Sequence, residues 1–403
     1  MFKKLIGQRA FSTSFSWFLK ASIEGNGKVV SVNEGSKDPL KFPGIWLRDN
    51  CQCEVCYSEN AQSRRIDYSD FSFKVKAENV EITDKVLNVN WSDNHKSAYH
   101  IDWLTDRSFT KEKQEQYLNE FYRPPYQTWG KSKFKDVVKY FEFDEVIRDD
   151  KVLKEWIETL STYGIALIRN TPKDKTVART LANRIGFIRQ TTYGEEYVVQ
   201  AKPNATNQAY LSAKLQWHID LPYYEYAPGV NLLHFYEQTK TKGGSNIIVD
   251  GFNIAERIKN QHPEDYQVLC EVVVDWNDIT VEQDIPYHNI WRAPVINLDA
   301  DGNCTRINFS IPQRDSHFNV DVDKVIRWYE AFGKFVNMVK EETMLFKVNE
   351  GDILTFSNVR LLHGREAYDD SDANVRYVVG AYMDWDIIYS KWRVLKNQLA
   401  NRH

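Results

Sequence analysis

No stretch of this 403-residue chain approaches the roughly eighteen unbroken apolar residues that a membrane-spanning helix requires. Positive charge is not in excess: 52 Lys and Arg face 56 Asp and Glu, a formal net charge of -4. That balance argues against a nucleic-acid footprint or a membrane-surface module. Cysteine is scarce, with five in all. Three of them, Cys51, Cys53 and Cys56, are too local for a disulfide framework and suit a metal site in a reducing compartment. Internal repeats and low-complexity tracts are missing too. Aromatics are plentiful: 22 Tyr, 21 Phe and 12 Trp. With 42% hydrophobic and 27% charged residues, the chain can pack a core and still line a pocket with tyrosine.

Residues 1–25 carry Lys3, Lys4, Arg9 and Lys20, several serines and threonines, and no acid before Glu24. This is the composition of a mitochondrial presequence, the alternative being a basic start on a cytoplasmic protein. A small β-rich, zinc-binding domain is expected over 28–108, with a strand at Lys85–Trp91, where apolar and polar residues alternate. A helical linker over 109–134 contains Arg123-Pro-Pro-Tyr126, which no helix crosses. From 135 to 403 helices near 150–162, 173–185 and 321–342 flank short alternating runs at 165–168, 230–236, 247–249, 295–298, 306–309, 353–356 and 375–383. Such a pattern predicts a mainly β fold, a double-stranded β-helix (jelly roll) with helical buttresses.

The motif His-x-Asp occurs at His100–Asp102 and His218–Asp220. His100 precedes a charged helix and reads as surface structure. His218 and Asp220 precede an apolar strand, and Leu221-Pro222 offers the bend that brings both side chains to one side. His363, in Arg360-Leu-Leu-His-Gly-Arg365, follows the run ILTF, and Gly364 permits a tight exit. Two imidazoles and a carboxylate on one face of a metal leave room for a co-substrate and dioxygen, as non-haem iron(II) oxygenases need. Arg376, on the next strand, suits bidentate pairing with a dicarboxylate. Buried, hydrogen-bonded histidines are the bland alternative. Cys51-Gln-Cys-Glu-Val-Cys56 offers zinc three thiolates, and His95 or His100 would complete a tetrahedral, structural site.

The segments HIDLPYYEYAPGVNLLH, GGSNIIVDGF, GDILTF, RLLHGR and GAYMDWD, spread over most of residues 150–395, resemble the gamma-butyrobetaine hydroxylase and trimethyllysine dioxygenase family. The resemblance implies iron(II) on His218, Asp220 and His363, with 2-oxoglutarate and dioxygen as co-substrates and Arg376 on the distal carboxylate of 2-oxoglutarate. Residues from Trp46 to Leu104 are similar to the family's small domain, which implies zinc on Cys51, Cys53, Cys56 and His95. Held without hydrogen bonds, a trimethylammonium group needs aromatic faces, and the family's cage falls on Tyr193, Tyr197, Tyr210 and Tyr382. Tyr197 stands where the butyrobetaine hydroxylases are expected to carry tryptophan.

Asn207 is expected at the carboxylates of co-substrate and substrate. Its neutral amide suits the bare carboxylate of gamma-butyrobetaine, whereas the trimethyllysine enzymes place an acid there. Ser310 takes the place of a second carboxylate-binding asparagine. The implied substrate is a small trimethylammonium carboxylate, and a homodimer is in keeping with the family. A zinc hydrolase on the same ligands, or a metal-bound trimethylammonium-binding protein without catalysis, are the readings of another class.

Overall fold

The computed structural model describes residues 19–35, 38–201, 208–282, 284–371 and 374–400. The basic stretch 1–18 and Asn207 lie outside the described residues, and the presequence reading rests on the former. The chain divides into two compact units, Met1–Tyr122 and Arg123–His403.

The first unit is built on two three-stranded antiparallel sheets. One joins Leu19–Glu24, Val29–Glu34 and Leu40–Pro43, and the other joins Ala77–Thr83, Val86–Trp91 and Lys96–His100. The domain therefore begins before residue 28, because Leu19–Glu24 pairs residue for residue with Val29–Glu34. Period-two alternation is visible in the burial of Leu87, Val89 and Trp91 against the exposure of Asn88 and Asn90. Val30, Phe42 and Leu47 complete this unit's core with Tyr99, whose hydroxyl donates to Leu47 O. Lys111–Gln116 is helical and continues into a π-helical turn, Tyr117–Tyr122.

In the second unit six strands form one sheet, in the order Glu196–Val199, Tyr377–Met383, Val230–Glu237, Ile353–Ser357, Ile165–Arg169 and Lys139–Glu142. Four form the other: Leu215–His218, Leu361–Arg365, Asn246–Asp250 and Met344–Phe346. Apolar side chains of both, among them Phe235 and Leu354 from the larger and Ile248 and Leu361 from the smaller, share one core. Helices Asp150–Tyr163, Val177–Ile185 and Trp385–Ala400 pack on the larger sheet through Leu153, Trp156, Leu181 and Trp392. Helices Gly251–Gln261, Pro263–Glu271 and Val322–Glu341 bury Ile254, Leu269 and Phe335 with Val249 and Leu362 of the smaller sheet.

This is the jelly roll with helical buttresses. Local chemistry sets its helices: Asp149 accepts from Lys151 N at the start of Asp150–Tyr163, and Gly164, at φ 77°, ends it in the left-handed region.

Several strands went unread in the sequence, and two of them carry the site. Leu215–His218 is only four residues long, and Leu361–Arg365 ends in His-Gly-Arg, so neither presents an apolar run. Also unread is the hairpin of Val274–Glu282 paired to Ile285–Ala293. Arg376 immediately precedes the strand Tyr377–Met383 rather than lying on it.

Candidate active site and metal centres

His218 and His363 are directly opposite each other on paired antiparallel strands, which by itself brings their side chains within a few ångströms. Gly364 is what lets the strands approach. A Cβ there would sit 2.5 Å from Leu215 O and 2.9 Å from Gln216 O. The glycine serves close backbone approach, therefore, and not an exit from the strand. Asp220 follows His218 by two, and the pleat alone places both on one side while Ile219 turns into the core. The expected bend comes after them, at Leu221 with φ 55°, and carries the chain away.

The result is a compact cluster. Nε2 of His218 lies 3.2 Å and Nε2 of His363 3.5 Å from Asp220 Oδ1, with the rings 4.2 Å apart at their centroids. One ion with ligands at about 2.1 Å would separate neighbouring donors by roughly 3 Å, so the spacing fits a shared metal. Nδ1 of His218 is 2.8 Å from Gln216 O, a contact that orients the ring with Nε2 toward Asp220. Burial raises the Asp220 pKa, but the two imidazoles outweigh it and hold the carboxyl far below the usual range. It is a charged donor.

Three residues that sequence reasoning missed orient this carboxylate or enclose its cavity. Asn231 Nδ2 donates to Asp220 Oδ2, which also accepts from Tyr382 Oη at 3.0 Å. Asn358 Oδ1 accepts from Asp220 N at 2.8 Å, and its amide returns a bond to Asp220 O at 2.9 Å. Both asparagines are fully buried. The available signal was a lone polar residue inside an apolar strand, Val230-Asn-Leu-Leu, where an unpaired amide would be costly. The third, Asp278, lines the cavity described next.

A cavity of about 370 Å³ opens on the cluster. Toward one part of it Arg376 is 4% exposed, with Nε unpaired and no carboxylate beside it among the described residues. Burial and the neighbouring Arg365 push its guanidinium down to about 9. Arg365, three per cent exposed, is tied to Leu211 O and Ala213 O. Two buried arginines with no counter-ion among the described residues are a standing demand for an anion.

The four tyrosines also line the cavity. Tyr197 and Tyr382 stack at 4.8 Å, and Tyr193 sits 6.3 Å from Tyr197. Tyr197 lies flat over Gly380, whose added Cβ would come within 2.2 Å of the ring. Its hydroxyl donates to Asn231 Oδ1 at 2.9 Å. Burial and the Asp220 charge raise both phenols, which stay protonated. Tyr210 is buried and lines the same space. Ser310 lines it as well, but its hydroxyl donates to Gln313 Oε1 at 2.8 Å.

In the first unit a helix, Gly44–Asp49, leads into the cysteines, and a tight turn between two strands presents His95. Its Nε2 is 3.3 Å from Cys51 Sγ and 3.6 Å from those of Cys53 and Cys56. A tetrahedral zinc with sulfur at about 2.3 Å and nitrogen at about 2.05 Å requires N–S separations of roughly 3.5 Å. Burial and the adjacent thiols push Cys56 up to about 12, a crowding of like charge that a divalent cation would relieve. His100, the other candidate, is exposed and stands at the start of the helix Ile101–Asp106.

Family models match both units: residues 22–105 the gamma-butyrobetaine hydroxylase-like N-terminal family, and residues 122–382 the taurine catabolism dioxygenase TauD, TfdA family. The chain is 36% identical over 385 residues to the gamma-butyrobetaine dioxygenase of Homo sapiens, covering 95% of this chain and 98% of that one. To the gamma-butyrobetaine dioxygenase of Pseudomonas sp. (strain AK-1) it is 32% identical, covering 92% and 94%. Against the mitochondrial trimethyllysine dioxygenase of Gallus gallus the figures are 28%, 88% and 84%. The chain belongs to the TauD, TfdA family of dioxygenases.

Proposed function

We propose that the protein is a gamma-butyrobetaine dioxygenase, hydroxylating its substrate at C3 to L-carnitine while 2-oxoglutarate is decarboxylated to succinate. One oxygen atom of O2 ends in the new hydroxyl and the other in succinate. The observation that carries the reading is the meeting of His218 Nε2 and His363 Nε2 at Asp220 Oδ1 in a cavity that also holds a buried arginine with an unpaired Nε. In this reading iron(II) on the three side chains supplies the oxidising chemistry. Arg376 binds the distal carboxylate of the co-substrate as the missing anion. Asn231 and Tyr382 hold Asp220 Oδ2, so that Oδ1 faces the metal.

Tyr193, Tyr197, Tyr210 and Tyr382 offer ring faces to the trimethylammonium group. Zinc on Cys51, Cys53, Cys56 and His95 serves structure, since a closed four-ligand shell leaves no position for a substrate. The chain's similarity to gamma-butyrobetaine dioxygenases at 36% and 32% supports this substrate over trimethyllysine. The test is succinate release with gamma-butyrobetaine and trimethyllysine side by side. Tight coupling to the former is expected; coupling to the latter alone would reassign the substrate.

A further inference from the structure

We propose that Asp278 is the counter-charge that lets this cavity prefer a cationic head group, acting beside the cage tyrosines; the proposal rests on the function proposed above. Two carboxylates line the cavity among its described residues, Asp220 and Asp278. Asp220 is committed to the histidine cluster. Asp278 comes from the hairpin arm Val274–Glu282, and its Oδ2 is buried without a hydrogen-bond partner. The hydroxyl of Tyr223 faces it and is in turn 3.4 Å from the hydroxyl of Tyr193. One phenol thus separates the carboxylate from a cage ring. On its other side Gln313 Nε2 donates to Asp278 Oδ1 at 3.4 Å, which turns Gln313 Oε1 toward Ser310 and takes up that serine's only proton. The donors of this wall, Gln313 Nε2 and the Tyr223 hydroxyl, are turned toward Asp278, so its carboxylate presents negative charge that suits a cation better than a substrate carboxylate.

Charge balance points the same way. Counted over the described lining residues, with a divalent ion and a dianionic co-substrate bound, Arg365 and Arg376 balance Asp220 and Asp278, and a zwitterionic substrate enters a neutral cavity. Without Asp278 that same count is net positive, which disfavours the trimethylammonium end. Burial raises the Asp278 pKa, the cost that a neighbouring cation would offset.

The test compares gamma-butyrobetaine with its carbon isostere 5,5-dimethylhexanoate, in which tert-butyl replaces trimethylammonium, by succinate release with the full-length enzyme. Asp278→Asn should raise KM for gamma-butyrobetaine by roughly tenfold or more, and by more than it lowers kcat, while KM for the isostere holds or falls. Asp278→Glu should keep the wild-type preference, and Tyr223→Phe should lose part of it. If the asparagine variant does not fold, these two decide. A wild-type preference retained in Asp278→Asn overturns the proposal, as does equal loss toward both compounds in every variant, or a defect confined to trimethyllysine. A wild-type enzyme that releases no succinate with gamma-butyrobetaine overturns the proposed function, whereas one that couples it without preferring the cation overturns this proposal alone, so the two failures are distinct.

Discussion

The two ligand clusters of this chain are assembled in opposite ways. Cys51, Cys53 and Cys56 come from one short knuckle and need a single further residue, His95, to close a shell of four. His218 and His363 come from two paired strands some 140 positions apart in sequence, Asp220 lies two residues beyond the first of them, and this shell of three opens on a cavity. A closed shell can only hold structure together, while an open one exposes the ion to small molecules. Closure is achieved by local spacing, openness by strand register.

Substitutions that strike one cluster should leave the other intact. The largest effect is expected from His363→Ala, with turnover lost by more than the roughly 10–100-fold typical of residues that only orient ligands. Arg376→Met should come next, raising KM for 2-oxoglutarate by roughly two orders of magnitude, because it leaves a bound carboxylate without its buried partner. Arg376→Lys should recover little of this, since a point charge lacks the paired donors.

Asn231→Ala should lower iron affinity roughly 10–100-fold with the zinc content unchanged, read by metal analysis and succinate release. Gly364→Ala should destabilise the second unit by about 1–3 kcal/mol, because its Cβ would displace the strand that carries His218. Iron affinity would fall with it, measurable by thermal unfolding and metal titration. The smallest effect is expected from Tyr197→Phe, which removes one hydrogen bond to Asn231 and about 1 kcal/mol of orientation. Its kcat should fall a few-fold.

The same contrast explains what the sequence disclosed. A cysteine knuckle is legible because its ligands are neighbours, and the apolar strands Val230–Glu237 and Ile353–Ser357 are legible because burial imposes a pattern. Leu215–His218 and Leu361–Arg365 break that pattern because they carry the polar residues of the site. Family motifs pointed to the histidines there, while no local signal described the strands. Asn231, Asn358 and Asp278 escaped for a related reason: their value lies in what register and packing put beside them, such as Asp220 Oδ2 or the hydroxyl of Tyr223. Ser310 was legible as a position, but the direction of its proton depends on Gln313 three residues on.

Metal analysis of wild type, Asp220→Ala and Cys53→Ser, purified in parallel and reconstituted anaerobically, tests the contrast most directly. The wild type should hold about one iron and one zinc per chain, Asp220→Ala zinc alone, and Cys53→Ser iron alone. Iron retained in full by Asp220→Ala, or zinc retained in full by Cys53→Ser, would contradict the division into an open and a closed site.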